Sequence, residues 1–148
     1  MNVFVTGAAG YIGSICTEEL LIAGHQVTVY DDLSEGHRSA VDPRATFIHG
    51  KPEQENNILN AVRSARPDAV MHFAANALVG ESMTNPKKYF HNNVVNGLKL
   101  LNAAVECGVK KFVFSSTCAT YGPPDQVPIG EDTPQRPINP YGESKLMF

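Results

Sequence analysis

Three groups of residues in this chain have the types and spacing to work on one reaction. Tyr141 and Lys145 stand four positions apart, so a helix puts both on one face. A free tyrosine titrates near ~10. A neighbouring ammonium, or a nicotinamide cation, favours its phenolate, which then serves as a general base near neutral pH. Ser116 and Thr117 close an apolar run and offer hydroxyls to the same substrate oxygen. A base that takes an alcohol proton beside a hydride acceptor performs alcohol oxidation. A seat for that acceptor lies near the other end of the chain, where Gly7, Gly10 and Gly13 follow the run Val3-Phe4-Val5-Thr6. Gly7 allows a tight turn, Gly10 lets the backbone approach phosphates, and Gly13 lets a helix pack close to the strand. The helix start then presents free N–H groups and a positive dipole end to a pyrophosphate. Asp31 closes the second apolar run, about twenty positions on, where a dinucleotide fold holds the adenosine ribose hydroxyls. A carboxylate there repels a 2′-phosphate, which favours NAD over NADP. Arg38 could serve such a phosphate, but it lies in the Gly-Ser-rich loop Ser34 to Ser39 and is discounted.

These groups need elements to carry them. Helical periodicity runs from Tyr11 to about Ile22, with Ile12, Ile15, Cys16, Leu20 and Ala23 on one face, and Gly24 caps it. Strands are expected at Gln26 to Tyr30, Ala45 to Ile48, Ala69 to Ala75 and Lys111 to Ser116. The fourth is almost wholly apolar, as suits a strand buried on both faces of a parallel sheet. His72 inside it reads as a satisfied core histidine. Helices are expected over Glu53 to Ala65, with Ile58, Leu59 and Val62 inward, and over about Pro86 to Cys107, closed by Gly108. A long polar loop follows, from Thr117 to Asn139, and loops of that length tend to bind ligands. Pro140 sits where a first helical residue belongs. Alternating strands and helices predict a doubly wound parallel sheet with helices on both faces. Ligand belongs at the strands' C-terminal edge, on which the glycine turn, Asp31, Ala74-Ala75, Ser115 to Thr117 and the last helix converge.

Composition narrows the class. At 148 residues and 43% hydrophobic the chain is long enough for one domain with a real core. A net charge of −3 with scattered basic residues leaves no nucleic-acid footprint. No apolar run reaches membrane-spanning length. The first residues lack a basic stretch followed by an apolar one, so a cytoplasmic protein is expected. Cys16, Cys107 and Cys118 lack metal spacing and read as small apolar residues in a reducing compartment, so no metal is expected.

The combined motifs resemble the extended short-chain dehydrogenase/reductase family, in particular its UDP-glucose 4-epimerase branch. The resemblance runs nearly end to end. It rests on Thr6-Gly-Ala-Ala-Gly-Tyr-Ile-Gly13, Asp31-Asp-Leu-Ser-Glu-Gly-His-Arg38, His72-Phe-Ala-Ala75 with Val79-Gly-Glu-Ser82, and Asn92-Asn-Val-Val-Asn-Gly97. It rests also on Phe114-Ser-Ser-Thr117 with Thr120-Tyr-Gly122, and on Pro140-Tyr-Gly-Glu-Ser-Lys145. It implies a Rossmann-like fold in which Tyr141 removes the sugar 4-hydroxyl proton. Lys145 lowers the pKa of that tyrosine and holds the nicotinamide ribose, and Thr117 sets a hydroxyl against the reacting oxygen. Tightly bound NAD takes the C4 hydride and returns it to the other face after the keto sugar turns over. The implied NAD contacts are Gly7, Gly10, Tyr11, Ile12, Asp31, Phe73, Ala74, Ala75, Asn92 and Lys145. UDP-glucose and UDP-galactose are the implied substrates, and a homodimer through the long helix 86–107 and the Tyr-bearing helix is the implied assembly. Related dehydratases carry Asp-Glu where this chain has Cys118 and Ala119, which argues for simple epimerisation.

Three departures stand out. Lys51 follows His49-Gly50 where the family usually has an Asp that reaches the adenine amine. A cation cannot accept that hydrogen bond, at a cost of ~1 kcal/mol. Ala77 stands where some epimerases place a cofactor-touching lysine. The chain also stops three residues after Lys145, where family members run on for roughly as much again. The expectation is thus an incomplete NAD-binding domain over 1–148, ending just after the start of the Tyr-Lys helix, with a C-terminal substrate domain absent. Alternative readings are another NAD-dependent nucleotide-sugar epimerase or reductase, or a non-catalytic NAD-binding fragment.

Overall fold

A computed structural model describes residues 1–148, which pack as two compact units. The first unit comprises Met1–Ala74 and Lys99–Ser115. It is built on a five-stranded parallel sheet of β1 (Asn2–Thr6), β2 (Gln26–Asp31), β3 (Thr46–His49), β4 (Ala69–His72) and β5 (Lys111–Phe114), in the order β3-β2-β1-β4-β5. Thr6 pairs with Tyr30 on one side and His72 on the other, so the strand order reverses at β1. In an open α/β sheet that reversal leaves a crevice at the C-terminal strand ends.

Each face of the sheet has its own core. Phe4, Tyr30 and Val70 pack with Ile58, Ala61 and Val62 of α2 (Glu55–Ala65) and with Leu100, Ala103 and Ala104 of α5 (Gly97–Glu106). Val3, Val5, Val27 and Val29 form the other core, with Ala8 and Ala9 of the glycine turn. That core lies beneath α1 (Tyr11–Ile22). Here the structure corrects the helix face. Ile12, Ile15 and Ala23 are exposed, whereas Gly13 and Thr17 are buried and Cys16, Leu20 and Leu21 partly so. A side chain at Gly13 would put its Cβ 2.3 Å from the Gly7 carbonyl oxygen. The closest approach therefore runs through Gly13, and the inward face rotates to Thr17 and Leu20. Gly24 does end this helix, at φ +82, with its N–H donating to the Leu21 carbonyl. His72 is a satisfied core residue: its Nδ1 meets Thr6 Oγ1 at 2.7 Å and its ring stacks on Phe114.

The second unit comprises Ala75–Leu98 and Ser116–Phe148. Its helices are α3 (Val79–Thr84), which periodicity did not reveal, α4 (Pro86–Tyr89) and α6 (Pro140–Met147). The helix expected as continuous from Pro86 to Cys107 is instead interrupted. A π-helical stretch, Phe90–Asn96, separates α4 from α5. β4 ends at His72 rather than Ala75, and the long loop contains a 3₁₀ turn at Cys118–Thr120. Cys118 is exposed, and Cys16 and Cys107 are partly buried.

Candidate active site

In the first unit the glycine turn is shaped by clearances. Gly7 adopts φ +74, and a Cβ on it would lie 2.5 Å from the Ala74 nitrogen and 2.7 Å from the Phe73 carbonyl carbon. Only a residue without a side chain lets the end of β4 come so close. At Gly10 a Cβ would meet nothing nearer than the Gly7 oxygen at 3.3 Å, so the outer side of the turn is open. Gly10 is also the N-cap of α1, and no side chain caps the helix. Tyr11 and Ile12, in its first turn, are both exposed. An uncapped helix start beside an open backbone turn is a ready anion seat.

Asp31 closes β2 and is buried at 7% exposure. Its Oδ2 accepts the Ala9 N–H at 3.0 Å and its Oδ1 the Leu33 N–H at 2.9 Å. The carboxylate so held retains lone pairs for further donors. The following loop closes on the same residue. The His37 N–H donates to the Ala9 carbonyl at 2.9 Å, and a Cβ on Gly36 would collide with Ala9. Sequence reasoning gave Gly36 and His37 no role; a glycine inside the polar loop was the signal available. Arg38 does not turn towards a phosphate: its guanidinium lies 4.5 Å from the Phe47 ring centroid. Gly50 abuts Tyr30, whose hydroxyl donates to the Lys51 carbonyl at 3.0 Å while the Lys51 side chain is exposed. Burial, reinforced by Asp32 and Glu53, pushes the Tyr30 phenol up to about 12.

The second unit holds Tyr141, Lys145 and Thr117. Asn139 caps α6, its Oδ1 accepting the Gly142 N–H at 2.8 Å, and Pro140 takes the first turn. Tyr141 and Lys145 then share a face, with Tyr141 partly open and Lys145 buried at 4% exposure. Burial brings the Lys145 ammonium down to about 8. A Cβ on Gly142 would lie 2.5 Å from the Ala119 carbonyl oxygen, so this glycine lets α6 close on the turn after Thr117. Thr117 Oγ1 accepts the Ala119 N–H at 3.1 Å, a bond that does not use its own hydroxyl proton. Ser116 is exposed, and Asn92 and Ala75 are partly buried.

Asn93, beside Asn92, is the residue whose role the sequence did not disclose. It is buried within the π-helical stretch. Its Oδ1 accepts the Asn76 N–H at 2.9 Å, and its Nδ2 donates to the Asn76 carbonyl and to Ser144 Oγ, each at 3.0 Å. Ser144 Oγ in turn donates to the Tyr141 carbonyl at 2.8 Å. One carboxamide thus ties the segment after Ala75 to the helix that carries Tyr141 and Lys145.

Known proteins share this fold. The profile of the NAD dependent epimerase/dehydratase family matches residues 3–148. The UDP-glucose 4-epimerase of Lactobacillus helveticus is 52% identical over 148 residues, which are 100% of this chain and 45% of that protein. The crystal structure of UDP-glucose 4-epimerase from Brucella ovis in complex with NAD is similar at a TM-score of 0.96 and 45% identity, covering 99% of this chain and 45% of that one. The Thermotoga maritima UDP-glucose 4-epimerase crystallised with UDP-glucose is similar at 0.95 and 38% identity, covering 99% and 48%. The chain spans about half the length of the relatives it matches.

Proposed function

Since this chain belongs to the NAD dependent epimerase/dehydratase family, we propose that it carries the NAD-binding and proton-handling half of a UDP-glucose 4-epimerase-type isomerase. The observation that carries this reading is the glycine turn. Its outer side is free of side chains, it opens an uncapped helix, and a buried carboxylate at the next strand end is fastened to it. Those features fit a dinucleotide with a free adenosine ribose. Gly7, Gly10, Tyr11 and Ile12 would hold the pyrophosphate and Asp31 the ribose. Phe73, Ala74, Ala75, Asn92 and Lys145 would hold the nicotinamide half. NAD, when bound, supplies the acceptor for the hydride on C4 of the sugar.

The chain's own residues manage the proton. Tyr141 Oη takes it from the C4 hydroxyl and later gives it back to the same oxygen. The Lys145 ammonium steadies the phenolate, and the Thr117 hydroxyl donates to the sugar oxygen. Net epimerisation requires the keto sugar to present its other face between the two transfers. The absence of carboxylates at Cys118 and Ala119 supports epimerisation over elimination. UDP-glucose and UDP-galactose are the proposed pair, which places the reaction in galactose metabolism. The proposed setting is the cytoplasm; no helix is long and apolar enough to cross a membrane. The proposed assembly is a homodimer through the helices of 86–107 and α6, supported by exposed Val95, Leu98, Leu146 and Met147. We take residues 1–148 as an NAD-binding domain to which a separate substrate domain adds the sugar-nucleotide pocket.

The test pairs calorimetric NAD binding with interconversion of UDP-galactose and UDP-glucose. Tyr141→Phe is expected to abolish turnover and leave NAD affinity unchanged. Turnover that survives in the variant removes Tyr141 from the base role. The alternative reading is a non-catalytic NAD-binding module. Retained NAD binding with no turnover on either sugar would support it.

A further inference from the structure

Tyr89, the last residue of α4, is a buried tyrosine at 0% exposure whose hydroxyl is fully engaged away from the proposed chemistry. Its single proton is shared between the Leu78 carbonyl at 2.6 Å and Glu81 Oε2 at 2.8 Å. Glu81 is itself gripped by the Lys88 ammonium, at 2.8 Å on one oxygen and 3.0 Å on the other. The Lys88 and Tyr89 hydrogen bonds hold the Glu81 carboxyl below its usual range, so it is anionic at neutral pH. Two successive residues of α4 thus fasten to one carboxylate on α3. The far side of this assembly faces α6. The Tyr89 ring meets the Tyr141 ring edge-on, with centroids 6.4 Å apart and planes at 82°.

A phenol that must reach one sugar oxygen needs its ring held, because ~1 Å of misplacement costs on the order of 10²-fold in rate. Asn93 tethers α6 through Ser144, whose hydroxyl reaches only the Tyr141 backbone. The Tyr89 ring is a contact made to the phenol itself. Resting on the reading of Tyr141 as the base, we propose that Tyr89 is a positioning residue. Glu81 and the Leu78 carbonyl clamp its hydroxyl so that its ring sets the attitude of the Tyr141 phenol. Glu81 is the charged foot of this strut, and Lys88 keeps the foot in place.

The test is 19F NMR of the full chain with 3-fluorotyrosine at its five tyrosines. The Tyr141 signal is assigned by its loss in Tyr141→Phe. Tyr89→Phe keeps the ring and removes the clamp; Glu81→Gln keeps the shape and removes the charge. In both, the Tyr141 signal is expected to broaden or split, while the signal of Tyr30, in the other compact unit, keeps its width. A Tyr141 signal as narrow in both variants as in the parent overturns the proposal. So does equal broadening of every tyrosine, which marks general loosening. NAD binding by the parent is measured on the same samples. Its failure would sink the functional reading while leaving the ring signals to decide the strut.

Discussion

The nucleotide cradle and the Tyr–Lys helix are held by opposite means. Around Gly7 and Gly13 the geometry is set by what is missing: backbone meets backbone where any Cβ would collide. The one side chain that matters there, Asp31, is fixed by main-chain N–H groups of Ala9 and Leu33. Around Tyr141 and Lys145 the geometry is set by side chains. Asn139 starts the helix, Asn93 tethers it and Tyr89 abuts the phenol. A backbone cradle resists everything except added bulk. A helix held by polar struts is sensitive to each strut and to pH.

The contrast can be broken most sharply at Gly7. Gly7→Ala forces a Cβ onto the backbone of Phe73 and Ala74 at a positive φ, and should cost about 3 kcal/mol or more. Gly24→Ala, also at positive φ but with nothing within 4 Å, should cost only ~1 kcal/mol. Urea unfolding of the two variants reads the difference, and equal losses would refute the role of clearance. The second test concerns Lys145, whose ammonium titrates at about 8 when folded against ~10.4 in an unfolded chain. Between these values the folded state binds fewer protons, so stability should rise with pH, by on the order of 2 kcal/mol. Tyr30 acts in the other direction. It keeps its proton to about 12 when folded, so its contribution falls away only above ~10. Unfolding free energies from pH 7.5 to 9.5 should therefore climb in the parent and lose that slope in Lys145→Met. An identical slope in both would clear Lys145. The smallest effect belongs to the rim of the cradle. Lys51→Asp restores an acceptor for the adenine amine and should tighten NAD by roughly fivefold, one hydrogen bond's worth. Calorimetry that shows no change would place Lys51 outside the base's reach.

Much of the first unit was legible in advance because its information is local. Strand, glycine turn, helix and strand-ending acid follow one another between Val3 and Asp31, and each carries its own chemical reason. Its inward helix face was legible only in part. Periodicity placed Cys16 and Leu20 inward correctly but Ile12, Ile15 and Ala23 wrongly, and only the contact of Gly13 with Gly7 brought Thr17 to the core. In the second unit, pattern supplied Tyr141, Lys145 and the helix start at Pro140, since spacing and capping are sequence properties. The sequence by itself thus determined the alternation of strands and helices and the placing of Tyr141 and Lys145 on one helix. Only the tertiary structure decided how those groups are held. The π-helical stretch and the buried Asn93 depend on partners 17 and 51 residues away. The clamp on Tyr89 joins side chains whose purpose shows only when Tyr141 is packed against them. Hydrogen bonds across such separations leave no periodic trace, because the chain must fold before donor and acceptor meet.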